Sequence, residues 1–133
     1  MEAYKSLIQE RYLEFFKSTN AVYMLEDDKQ PPHYVGIAFE FLCEISSSNL
    51  KVDYNDLYDN VFKDEKWLYV DALEALSDEF VTSLTAIQVV TMLASIRHKE
   101  LFCTGFFSLC GETGTIYRLL KQLERELRRK DEI

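Results

Sequence analysis

Four side chains able to do electrostatic, proton-transfer or nucleophilic chemistry crowd one short stretch of this chain: Arg97, His98, Glu100 and Cys103. A guanidinium holds carboxylates or phosphates, an imidazole moves a proton near neutral pH, and a carboxylate orients either of them. Arg97, His98 and Glu100 therefore form a possible polar site, of the kind a metal-independent enzyme or a small-ligand receptor would use. Cys103 with His98 is the one thiol–imidazole pair in sequence reach. Five residues apart on helical segments, the two need not face one another, and Cys103 sits among phenylalanines. No third group is spaced to position them, so no catalytic residue is assigned.

A second stretch suits contact rather than catalysis. Residues 54–69, YNDLYDNVFKDEKWLY, interleave Tyr54, Tyr58, Trp67 and Tyr69 with acids that include Asp56 and Asp59. Aromatic rings with polar tips bury much area at little entropic cost and are enriched where proteins meet proteins. The same pattern also suits rings that complete a core while the acids face water. Asp53, Asn55 and Asp59 have the outline of a calcium loop, but Leu57 and Tyr58 stand where an oxygen ligand and the turn glycine belong.

Other chemistries find no residues. P-loop, GxGxxG, GxSxG and HExxH motifs are absent, and 4 glycines leave little material for a phosphate cradle, so no cofactor is expected. His33 follows two prolines without a second ligand at metal spacing. Cys43, Cys103 and Cys110 are odd in number, lack CxxC spacing and lie in apolar patterns, which predicts buried reduced thiols rather than disulfides or zinc. The net charge of −8 is uneven: residues 1–80 hold 17 acids against 7 bases, and residues 81–133 hold 6 against 8. Without a broad cationic face, direct nucleic-acid binding is not expected. An acidic half does suit a decoy that occupies the basic groove of a nucleic-acid-binding protein.

The elements that position these residues are helical. Thr85 and Gln88 make a capping box, and the helix over 85–99 that follows leaves only Gln88, Thr91, Ser95 and Lys99 as a narrow polar strip, with His98 at its edge. So narrow a strip predicts a helix wrapped by its neighbours. On the same wheel Arg97 falls nearly opposite Gln88, inside the apolar arc, where its guanidinium must reach the last-turn carbonyls or water, or meet a carboxylate. Residues 102–111 read as a helix with Gly105 at a close backbone approach, and Thr115 caps a last helix striped by Ile116, Leu119, Leu120, Leu123 and Leu127. Before these, an amphipathic helix over 2–17 carries Tyr4, Leu7, Ile8, Tyr12, Phe15 and Phe16 inward. A second helix is striped by Tyr34, Ile37, Ala38, Phe41, Leu42 and Ile45, a third is capped by Asp53, and a fourth lies around 67–76.

The order of a buried helix, a charged turn running into Phe-Cys-x-Gly, a short helix and a leucine-rich helix resembles a family of small bacterial proteins catalogued as a domain of unknown function. The resemblance spans roughly residues 41–123 and rests on Glu100, Phe102, Cys103, Gly105, Gly114 and the Leu119-Leu120-x-x-Leu123 run. The family's turn carries arginine on both sides of the glutamate. Here those positions are His98 and Leu101, with Arg97 displaced by one. The resemblance implies a fold and a bacterial or phage origin, and no activity.

Length and composition fit one helical domain over 1–133, an all-α bundle of about five to seven helices packed around the helix at 85–99. The first residues form no secretory signal, and no apolar run approaches the ~20 residues of a membrane span, so a cytoplasmic protein is expected. The leading functional expectation is a non-catalytic protein-interaction module whose partner contacts are Tyr54, Asp56, Tyr58, Asp59, Trp67 and Tyr69.

Overall fold

In the computed structural model, which describes residues 2–18, 25–26, 33–34, 36–46, 50–56, 78–101, 103 and 105–131, the fold is built on the capped helix that the sequence marks. The Thr85 Oγ1 accepts from the Gln88 amide at 3.3 Å, and the Gln88 side chain accepts from the Thr85 amide at 2.9 Å. Two of the free donors at the helix start are thereby satisfied.

In chain order the helices are α1 (Glu2–Lys5), continued by a 3₁₀ turn (Ser6–Ile8), α2 (Glu10–Ser18), α3 (Gly36–Ile45), the single turn α4 (Tyr54–Asp56), α5 (Asp78–Thr82), α6 (Ala86–Glu100), α7 (Phe106–Glu112) and α8 (Thr115–Asp131). A two-residue antiparallel pair, β1 (Leu25–Glu26) with β2 (His33–Tyr34), sets Leu25 opposite Tyr34 and Glu26 opposite His33. The architecture is an all-α single-domain bundle. One core cluster joins Leu7, Tyr12 and Phe16 to Phe41, Leu93, Phe107 and Leu119.

The helix α6 is central because nearly every side of it is covered. Val89, Val90, Thr91, Met92, Leu93, Ser95 and Ile96 are all buried, and its broadest contact is with the leucine stripe of α8. The middle of its polar strip, Thr91 and Ser95, is buried too, and both hydroxyls have partners. Thr91 Oγ1 donates to the Ile87 carbonyl at 2.6 Å and accepts from the Asp53 amide at 3.0 Å, while Ser95 Oγ donates to the Thr91 carbonyl at 2.9 Å. Gln88 reaches the Asp56 carboxylate at 3.2 Å. The strip is therefore a seam that pins residues 53–56 to the core, and hydrogen bonding removes the penalty of burying it. On the opposite flank Gln122, also buried, donates to the carbonyls of Thr82 and Leu84, at 3.2 and 2.8 Å, and so ties α8 to the corner between α5 and α6.

The first helix differs from the sequence expectation in continuity. Its inward residues Tyr4, Leu7, Tyr12 and Phe16 are buried, but Gln9 adopts extended backbone at ψ 144° and breaks the run into two pieces. Gln9 then starts α2, its carbonyl accepting from the Tyr12 and Leu13 amides. The break lets Tyr4 turn aside and donate to the Lys51 carbonyl at 2.6 Å. Burial pushes the phenols of Tyr4 and Tyr12 above their ordinary pKa, Tyr12 despite the opposing charge of Arg11.

Gly105 also differs. It lies outside any helix, at φ +96°, as the residue before α7, and a Cβ there would meet nothing within 4 Å. The left-handed backbone rather than a close helix approach is what requires glycine. Consequently Cys103 and Cys110 do not share a helix.

Candidate functional site

The chemistry-bearing stretch lies at the C-terminal end of α6 and in the turn that leaves it. Glu100 is the best fixed of its residues: Oε2 accepts from the Gly105 amide at 3.0 Å and Oε1 from the Phe107 amide at 2.8 Å. A carboxylate across the first amides of a short helix is a capping arrangement, favoured by both hydrogen bonding and the helix dipole. Glu100 holds the turn closed and positions α7.

Arg97 lies in the last turn of α6 and is partly buried. It makes no hydrogen bond or ion pair among the described residues. With Glu100 and Leu101 it forms one wall of a groove of about 210 Å³, whose other wall is Phe39, Leu42, Cys43 and Ser46 of α3. His98 is exposed and is not among the lining residues. The three residues of the possible polar site are thus divided: two share a groove, one of those two is occupied in capping, and the third faces water.

The groove has apolar lips. Phe39 is 55% exposed and Leu101 63% exposed, and with Tyr54 at 39% they are the exposed large hydrophobic residues among the described ones. Singly such residues are ordinary, but two on the rim of one concavity make a patch. Phe39 and Cys43 also face a second concavity of about 400 Å³, on the α2 side, where Arg11 is paired with Glu40 at 2.7 Å. The two concavities flank α3, leaving its Phe39–Cys43 face open on both sides.

The aromatic and acidic segment is described in part. Tyr54 is exposed, while Asp56 is partly buried and accepts from Gln88 and so belongs to the seam on α6. Tyr58, Asp59, Trp67 and Tyr69, like the helix expected around 67–76, lie outside the described residues. Asp53 caps α4 as expected, its Oδ1 accepting from the Asp56 amide at 3.0 Å. Gln88, which holds Asp56, and Arg97 stand nine residues apart on α6, so Asp56's anchor point and Arg97 are separated by about 13 Å along the helix, at ~1.5 Å per residue.

The thiols correct another expectation. Cys110 is buried, but Cys43 and Cys103 are exposed, because Cys43 sits beside rather than on the buried stripe of α3 and Cys103 lies in the turn before α7. Among the described residues, no three His, Cys, Asp or Glu side chains cluster closely enough to hold a metal ion. No described helix is long and apolar enough to cross a membrane.

Sequence reasoning missed Phe39. A signal was present: Phe39 and Cys43 are four residues apart, hence on one helical face, and that face lies off the Ala38–Phe41–Ile45 stripe. Comparison with known proteins finds no matching family model, no matching curated protein and no matching solved structure.

Proposed function

We propose that this chain is a small cytoplasmic protein-interaction module that works without catalysis, and that its contact surface is the groove between α3 and the end of α6. The observation that carries the reading is the placement of Phe39 and Leu101, more than half exposed, on opposite lips of one concavity. An exposed aromatic beside an exposed leucine is costly to leave in water, and covering both is a source of binding free energy. Glu100 supports the reading through its two amide contacts, which fix the turn that carries Leu101 and make the rim pre-organised. A bacterial or phage setting, which the sequence resemblance implies, belongs to the same proposal.

The test is affinity capture from lysate of the source organism with three folded chains: wild type, Phe39→Ser combined with Leu101→Ser, and Tyr54→Ala. The groove reading expects a stoichiometric protein partner held by wild type and by Tyr54→Ala. The double variant is expected to bind about thirtyfold more weakly, as for loss of one hot spot of ~2 kcal/mol. Capture lost only in Tyr54→Ala would move the surface to residues 54–69. Capture that collapses steeply with salt and ignores all three substitutions would favour the acidic decoy.

A further inference from the structure

Among the described residues the groove holds a cation without a counterpart, and its surroundings say what kind of group would supply one. Six arginines lie among the described residues. Arg11 pairs with Glu40, Arg118 with Asp78, Arg128 with Glu124 and Arg129 with Glu126. Arg125 is exposed to water. Arg97 alone is both partly buried and without an ion pair among these residues. The other charge on the groove, Glu100, is directed to the Gly105 and Phe107 amides, and no Arg97–Glu100 ion pair forms. A guanidinium so placed, with part of its water already displaced, attracts a carboxylate more strongly than one on an open surface, and can hold both carboxylate oxygens at once.

The size of the groove narrows the class of ligand. About 210 Å³ is below the ~300–1,000 Å³ of pockets that enclose cofactors or metabolites, and suits one or two side chains. Its lips demand an apolar group, and its wall demands an anion. The net charge of −8 adds a limit, because a run of acids would be repelled by the chain as a whole. Resting on the groove reading above, we propose that the site takes a partner's peptide segment in which a single carboxylate side chain lies within one helical turn of a bulky apolar side chain. The apolar group covers Phe39 and Leu101, and the carboxylate pairs with Arg97.

A phage-displayed random dodecapeptide library, selected on the immobilised full-length chain, tests this. Wild type is expected to enrich sequences holding one Asp or Glu close to Leu, Ile, Phe or Met. A synthetic peptide from that pool should bind Arg97→Gln about thirtyfold more weakly, as for one partner removed from a desolvated charge pair. Arg97→Lys, which keeps the charge, should retain the preference for an acid. A double-mutant cycle between Arg97→Gln and an amide in place of the peptide's carboxylate should show the two losses to be one interaction. Enriched peptides without an acid, or equal binding to Arg97→Gln, would overturn the inference and leave the apolar groove standing. No enrichment over the chain carrying Phe39→Ser and Leu101→Ser would overturn both.

Discussion

Phe41→Ala is expected to destabilise the fold by about 3–5 kcal/mol, the ordinary range for deleting a fully buried phenylalanine. The ring is completely buried. It lies edge-on to Tyr12 at 5.1 Å and to Phe16 at 4.9 Å, and stacks on Phe107 at 6.1 Å with planes 19° apart. Three elements, α2, α3 and α7, therefore meet at this one ring. Their other contacts keep them from closing on the space it leaves, so the loss contains a cavity cost as well as the transfer cost. Domains of this size are stable by about 5–15 kcal/mol, so one substitution removes a large fraction. Urea denaturation followed by circular dichroism measures it, and a loss under about 1 kcal/mol would mean that the aromatic junction is not where the bundle is held.

Glu100→Ala is expected to cost about 2–3 kcal/mol, since hydrogen bonds to a charged group are worth ~1.5–3 kcal/mol and water recovers part of what the two amides lose. Glu100→Gln should cost roughly half as much, because the amide oxygen can still accept from one donor. The readout that a general loss of stability would not reproduce is local. Amide exchange at Gly105 and Phe107, the two donors to this carboxylate, should accelerate more than exchange in the middle of α6. Uniform acceleration would mean that Glu100 contributes to the fold without closing the turn.

These two residues mark where the sequence was legible and where it was not. Phe41 could be placed because a helical stripe is a local pattern, and the stripe of α8 and the Thr85–Gln88 box were legible for the same reason. The narrow polar strip of α6 announces a wrapped helix, and most of α6 from Ala86 to Ile96 is buried. In the sequence Glu100 belongs to a possible polar site, because its spacing to Arg97 and His98 is visible there. Its carboxylate accepts from backbone amides five and seven residues ahead, across a turn in which Gly105 is left-handed. Periodicity carries no information about a positive φ. It likewise carried the first helix through Gln9, where the apolar face continues although the backbone does not. Arg97 is anomalous within an apolar arc and is partly buried, but the wall opposite it comes from α3, a distant part of the chain. Phe39 became important only when that wall was in place.

Whether Phe39 lies on a partner-binding face is tested by placing a benzoylphenylalanine cross-linker at residue 39 and, as a control, at exposed Glu79 on α5. Irradiation in lysate of the source organism should give one discrete adduct from position 39, competed away by excess untagged wild-type chain, and none from position 79. Equal adducts at both positions, or none at 39 while the chain still captures a partner, would place the contact elsewhere on the molecule.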